Sequence, residues 1–323
     1  MKLFITIPCF WKLPETPEAD ETLTAEQLEQ LIDERRQQLS INIARLHQLF
    51  GQEHWSLSLL DGSANPEIER NLWHLEITVV TTPDNPVTQQ LYIPSSMYTL
   101  HTEPEKPAEQ LGYVCHGLMA QAMEQAQVSY DMFAYLEEDL LITDPLFFNK
   151  LRWFTETARD KGVSQAVLIP NRVELSVSGP VNKLYIDGQT GMSIADYYQD
   201  LASPADLTLN PLGMAMKFER AQNPYSGCFA LTRTQMRHWM SQPWFNDGDL
   251  MYRGAKESGA VLSLMKTFPM YRPGIPTPSF LEIQHTNTRF IEELERSIAH
   301  SLEQQAMMLN QMQVSVEACS PPA

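Results

Sequence analysis

From residue 3 to residue 136 the chain alternates between strand-like and helix-like apolar periods, and this alternation limits the fold more than any other feature. Leu3-Phe4-Ile5-Thr6-Ile7-Pro8 is a near-continuous apolar run of strand length, closed by proline. Residues 13–22 are rich in Pro, Glu and Thr and read as a loop. After them Leu28, Leu31, Ile32, Leu39, Ile43, Leu46 and Leu49 recur mostly at three- and four-residue steps, which predicts an amphipathic helix to about residue 50. Thr24 followed by Gln27 forms a capping box at its start. Strand patterns then cover residues 55–60, 75–81 and 132–136, with a helical stretch at 114–127 before the last. Strands separated by helices pair in parallel through crossovers. The expected fold is α/β, with a mixed, mostly parallel central sheet flanked by helices.

The remainder is less regular. Residues 83–110 carry several prolines and read as a mobile or irregular connection, apart from a short apolar piece at 91–93. A helix fits 145–161, closed by Gly162. Strand-like pieces follow at 165–169, 172–177 and 183–186, with Asp187-Gly188 as a turn, and form a second layer. A strand at 228–231 and helices at 233–241 and 249–258 come next. We read residues 1–285 as one domain, and 286–323 as a C-terminal helix with a disordered tail.

A formal charge of -17 repels nucleic-acid phosphates and anionic lipid, so neither is an expected partner. Cys9, Cys115, Cys228 and Cys319 are far apart and form no CxxC pair, which suggests neither a zinc site nor a disulfide framework. A reducing, cytoplasmic setting is expected. The apolar run after Lys2 is interrupted at Pro8, too early for a signal peptide, and no stretch has the length of a membrane span.

Three places carry chemistry. In Tyr135-Leu136-Glu137-Glu138-Asp139-Leu140-Leu141-Ile142 three adjacent carboxylates stand in an apolar context at a strand end. Their mutual repulsion favours a hard divalent cation between them; a solvated acidic turn is the other reading. In Asn246-Asp247-Gly248-Asp249 acidic residues precede the helix expected from 249. They serve either as N-caps or as a general base at a helix mouth. Asp61-Gly62-Ser63 follows a strand and could equally be an ordinary turn. Trp239, Trp244 and Phe245 either pack in the core or stack on a sugar.

Taken in order, these pieces resemble the GT-A (Rossmann-like) glycosyltransferases, especially the class typified by family-2 enzymes. Leu3-Phe4-Ile5-Thr6-Ile7-Pro8 is similar to that class's opening strand, and Leu60-Asp61-Gly62-Ser63 to its nucleotide-contacting strand end. Phe133-Ala134-Tyr135-Leu136-Glu137-Glu138-Asp139 resembles the strand leading into its Asp-x-Asp metal motif, written here Glu-x-Asp. Ser226-Gly227-Cys228-Phe229-Ala230-Leu231-Thr232-Arg233 resembles the acceptor-side strand. Asn246-Asp247-Gly248-Asp249-Leu250-Met251-Tyr252-Arg253 resembles the Glu-Asp-x-Asp-Leu-x-x-Arg element. Glu137 and Asn246 depart from the usual acids of the class.

The resemblance implies a metal-dependent enzyme moving a sugar from a nucleotide-diphosphate-sugar donor to an acceptor hydroxyl, with inversion. Mn²⁺ or Mg²⁺ would be held by Asp139 with Glu137 or Glu138 in support, and by His285. Pro8, Asp61 and Glu138 would contact the nucleotide side, and Asp247 would be the base. Two other readings stand beside it. One is a GT-A-like metal- or glycan-binding protein without catalysis. The other is a sugar-nucleotide pyrophosphorylase, which needs a glycine-rich basic loop where this chain has Pro8-Cys9-Phe10-Trp11-Lys12-Leu13-Pro14.

Overall fold

A computed structural model describes residues 1–11, 24–66, 74–125, 127–177, 179–187, 203–252 and 254–318, the last fourteen as backbone only. The loop expected at 13–22, Gly188, Arg253 and the residues after 318 lie outside the described residues.

Strand β1 (Lys2–Pro8) is the middle of a five-stranded sheet because both of its faces are apolar. It pairs in parallel with β4 (His74–Thr81) on one side and with β6 (Met132–Leu136) on the other. β5 (Thr99–Thr102) extends the sheet in parallel beyond β4, and β13 (Cys228–Thr232) closes it antiparallel to β6. Side chains alternate across a strand, so this sheet divides two cores. Leu3, Ile5 and Ile7 pack with Leu39, Ile43, Leu46 and Phe50 of helix α1 (Ala25–Phe50) and with Phe147, Leu151 and Phe154 of helix α3 (Phe147–Asp160). Phe4 packs on the opposite face with Val114, Cys115 and Met119 of helix α2 (Leu111–Glu124) and with Met236 and Trp239 of helix α4 (Arg233–Met240). The result is an α/β fold with a mostly parallel central sheet flanked by helices. The capping box of α1 forms in both directions: Thr24 Oγ1 accepts from the Gln27 amide and Gln27 Oε1 from the Thr24 amide.

Two expectations are corrected. The strand expected at 55–60 is a short exposed hairpin, β2 (Trp55–Leu57) with β3 (Ala64–Pro66), whose strands pair only with each other among the described residues. Its alternating Trp55 and Leu57 look like a half-buried strand, yet both are exposed. The position beside β1 goes to β4, which is apolar on both faces. The helix expected at 249–258 begins only at Ala255, as α5 (Ala255–Glu257), and continues through a π-helical turn at Ser258–Leu262 into α6 (Ser263–Met265). Asn246 and Gly248 have φ of 54° and 76°, left-handed values that break a helix before it starts. This helix meets α2 backbone to backbone: a Cβ on Gly112 would lie 2.8 Å from the carbonyl carbon of Gly259.

The connection at 83–110 is irregular, as its prolines dictate, but it is packed. Asn85, Val87, Thr88 and Leu91 are buried, and the Asn85 amide donates to the Cys9 carbonyl at 2.9 Å. Among the described residues, two four-stranded sheets lie beyond the central sheet. One orders β10 (Lys183–Tyr185), β9 (Asn171–Leu175), β15 (Glu282–His285) and β7 (Leu140–Leu141). The other orders β11 (Asp206–Leu209), β12 (Met216–Arg220), β14 (Met270–Pro273) and β8 (Val167–Leu168). Helix α7 (Arg289–Ala318) follows β15.

His116 on α2 is wholly buried among the rings of Tyr113, Tyr135, Phe229 and Trp239, the last at 4.6 Å. Neither ring nitrogen has a hydrogen-bond partner among the described residues. Burial alone pushes its pKa down from 6.5 to about 3. The unfolded chain therefore binds a proton that the folded chain refuses. The contribution to stability is complete above pH 6.5 and is lost as pH falls from 6.5 towards 3. His116→Leu is expected to flatten this loss by a few kcal/mol, on the order of one per unit of pH in that window, in urea titrations across it.

Candidate active site

The site grows from the carboxyl ends of β1 and β6. The last register pair of these strands is Thr6 with Tyr135, so Pro8 and Glu137 leave the sheet at the same level. Arg35 of α1 fastens the two ends together. Its Nη2 donates to the Phe10 carbonyl at 3.0 Å and to the Glu138 carboxylate. Parallel strands leave such a crevice at their carboxyl ends, where ligands bind in open α/β sheets.

The three acids after β6 have three different environments. Glu137 is buried, and the Tyr225 hydroxyl donates to its two oxygens at 3.0 and 2.9 Å. Lys256 Nζ lies 3.7 Å from Oε2. Burial raises the Glu137 pKa, opposed by Lys256, Tyr225 and Arg172. Gly227 makes room for this carboxylate: its φ is +62°, and a Cβ there would stand 2.8 Å from Glu137 Oε2. Glu138 is buried and paired with Arg35; burial and the neighbouring Asp139 and Glu137 charges outweigh Lys256 and Arg35, raising its pKa to about 7. Asp139 is the most open of the three. Burial works against its ionisation, but the His285 hydrogen bond and the charges of Lys256, His285 and Arg35 hold it well below the usual carboxylate range.

His285 is delivered by strand pairing. β15 runs antiparallel to β7, with His285 opposite Leu140, and the Thr286 amide and hydroxyl donate to the Asp139 carbonyl at 2.9 and 3.0 Å. His285 Nε2 then lies 3.6 Å from Asp139 Oδ2, while Nδ1 lies 2.9 Å from Glu174 Oε1. Two donors this close could share one divalent cation. Asp139 Oδ1 is buried and without a hydrogen-bond partner among the described residues. Asp139 and His285 thus fit a divalent cation.

Two of the three carboxylates already have partners in the protein. Glu137 is engaged by Tyr225 and Lys256, and Glu138 by Arg35. No three His, Cys, Asp or Glu side chains converge as a metal site among the described residues. Such an ion would have two protein donors and fill its other positions with phosphate oxygens and water, as magnesium does in phosphate chemistry.

Asp61 does not lie on the central sheet. It sits in the turn of the β2–β3 hairpin, where hydrogen bonds from Ser58 and Ser63 lower its pKa to about 2. The nucleotide contact that the resemblance implies belongs to the end of a central-sheet strand, and Asp61 follows the hairpin strand β2 instead. Asp247 is exposed in the loop before Ala255. Its Oδ1 accepts the Asp249 amide at 3.0 Å, and Oδ2 is 3.9 Å from Lys266. It caps no helix, since Gly254 occupies the N-cap. None of these contacts joins it to residues 137–139. Trp239 is fully buried with Phe245 edge-on at 4.9 Å, so it packs the core; Trp244 donates to Thr267.

Sequence reasoning missed Arg35, Lys256, Tyr225 and Glu174. None of them carries a motif: Arg35 stands in the polar run Asp33-Glu34-Arg35-Arg36-Gln37, Tyr225 lies in a loop, and Lys256 and Glu174 have polar residues nearby. Behind Tyr225 lies a further network. Arg172 stacks on its ring at 4.9 Å and pairs with Asp187, which Arg272 also holds at 2.7 Å. Asp187, Arg272, Asn171 and Asn223 line a cleft of about 700 Å³, which contains none of residues 137–139.

No family model matches the chain, and no curated protein matches its sequence. Among solved structures, CMP:2-keto-3-deoxy-manno-octonic acid synthetase complexed with CTP is similar at 13% identity, covering 93% of this chain and 100% of its own. The TM-score is 0.30, too loose for a functional argument. No described helix is long and apolar enough to cross a membrane.

Proposed function

We propose that this chain is a GT-A-like, metal-dependent glycosyltransferase that moves a sugar from a nucleotide-diphosphate-sugar donor to an acceptor hydroxyl. The observation that carries the reading is the Asp139–His285 pair at the carboxyl end of β6, level with the end of β1. Asp139 and His285 would hold Mn²⁺ or Mg²⁺. When bound, the cation would offset the negative charge that builds on the departing diphosphate. Lys256 and Arg35 surround the same point with fixed positive charge, so the acids of this acidic protein do not repel the donor unopposed. Pro8 and the backbone after it would border the nucleotide. Asp247 is the proposed base; its loop would deliver the carboxylate from the acceptor side, with inversion at the anomeric carbon.

The contacts of Asp247 lie within its own loop and with Lys266, which favours a second reading, a metal- and nucleotide-binding protein without turnover. The three described cysteines, Cys9, Cys115 and Cys228, are buried and free, which agrees with the proposed cytoplasmic location.

A thermal-shift screen of nucleotides and nucleotide sugars, with and without Mn²⁺, tests binding. A ligand at 100 times its dissociation constant stabilises the native state by about 2.7 kcal/mol. The expected result is a rise for one nucleotide diphosphate and its sugars that chelator removes. A screen in which every nucleotide diphosphate leaves the melting temperature unchanged contradicts the proposal.

A further inference from the structure

Glu174 is a wholly buried carboxylate near the end of β9 whose two oxygens serve two different elements. Oε1 faces His285 Nδ1 at 2.9 Å, and Oε2 accepts the Ile291 amide at 2.7 Å. Strand register brings the first contact about. β9 and β15 run in parallel with Val173 opposite Gln284, so Glu174 and His285 are the next pair along. The second contact falls in the first turn of α7, where backbone amides have no partner within the helix and a negative charge is favoured.

An ionised carboxylate only accepts hydrogen bonds, so Nδ1 of His285 must carry the proton that it donates. Against burial, Asp139 and Glu174 raise the His285 pKa, so the metal-free ring can hold both protons; when the ring is neutral, Glu174 keeps the proton on Nδ1, and Nε2, the atom 3.6 Å from Asp139 Oδ2, has the free lone pair. Metal-binding histidines are commonly oriented in this way by a carboxylate on the other ring nitrogen.

We infer that Glu174 is a positioning residue: it fixes His285 in the tautomer with Nε2 free and so prepares the Asp139–His285 pair for a divalent cation. This rests on the metal-dependent reading of the site. The competing account is that Glu174 only anchors α7. The two accounts differ in what they ask of the ring. Helix anchoring needs only the Oε2 contact and is indifferent to the tautomer. The positioning role needs both oxygens to accept at once. A glutamine has the same shape but one acceptor oxygen, so Glu174→Gln cannot satisfy His285 Nδ1–H and the Ile291 amide together.

The test uses the full 323-residue chain. Nitrogen-15 NMR of histidine-labelled wild type at mildly alkaline pH reads the tautomer directly, with His285→Asn assigning the signal. Calorimetry with Mn²⁺ alone reads the site. The expected results are an Nδ1–H tautomer in wild type, and an Mn²⁺ dissociation constant raised about 10- to 100-fold in Glu174→Gln. An Nε2–H tautomer in wild type overturns the proposal without relying on any variant's folding. So does a Glu174→Gln protein that binds Mn²⁺ as wild type does. Wild type with the Nδ1–H tautomer but no Mn²⁺ binding supports the tautomer assignment and overturns the preparation for a cation, and with it the metal-dependent reading.

Discussion

Asp139→Asn is expected to lower turnover of the nucleotide sugar by at least about 10²-fold and to abolish its dependence on Mn²⁺, since removing one electrostatic stabiliser of a transition state typically costs that much. The substitution is nearly isosteric. It leaves the backbone carbonyl that Thr286 binds, so the β7–β15 junction should hold. What it removes is a charge. Asp139 is the open member of the acidic triplet and is kept ionised by His285, Lys256 and Arg35, whereas burial drives Glu137 and Glu138 towards their neutral forms. Neither neighbour can substitute, because Tyr225 holds one and Arg35 the other. Initial rates with and without Mn²⁺, beside circular dichroism of the variant, check this. A folded variant that keeps its Mn²⁺ response would remove Asp139 from the site.

The second large effect is expected at Asp247. Asp247→Asn should reduce turnover by about 10²-fold or more, a typical size for losing general-base catalysis, with donor affinity unchanged. The structure sharpens this test. The obvious structural duty, capping a helix, belongs to Gly254. The remaining one is the turn closed by the Asp249 amide on Oδ1, which an asparagine oxygen closes equally well. Lys266 is 2.6 Å from Asp249 and only 3.9 Å from Asp247, so its main partner also survives. Full activity in the variant would show that Asp247 does no chemistry and that the base lies elsewhere.

The central sheet was legible because its evidence is local. Leu3, Ile5 and Ile7 alternate with Phe4 in a run that only a strand covered on both faces can hold, and the spacing of Leu39, Ile43 and Leu46 specifies the helix that covers one of them. The hairpin misled for the same reason. Trp55 and Leu57 show the strand period, but period does not say which sheet a strand joins or whether its face is covered. At 246–252 acids precede apolar residues, a pattern that resembles a cap and predicts a helix start. Two left-handed residues, Asn246 and Gly248, delay the helix to Ala255, and conformations of single residues leave little periodic trace. In the site, the acidic triplet and His285 stood out as residue types. Their partners did not. Arg35 lies 103 residues from Glu138, Tyr225 88 from Glu137 and His285 111 from Glu174, so those pairings exist only once the sheets assemble. The residue types mark the acids, but not the cation or donor that each of them meets in the fold.

The most direct measurement of the central claim is product analysis. Wild-type protein would be incubated with Mn²⁺ and a panel of uridine, guanosine, adenosine and thymidine diphosphate sugars, in parallel with and without pyrophosphate, and the nucleotides resolved by ion-exchange chromatography. A transferase releases the nucleoside diphosphate from one of these sugars, by transfer or by slow hydrolysis, and pyrophosphate makes no difference. That release should vanish with chelator. Formation of a nucleoside triphosphate only when pyrophosphate is supplied would identify a pyrophosphorylase, and intact nucleotide sugars throughout the panel would identify a protein without turnover; either result contradicts the account.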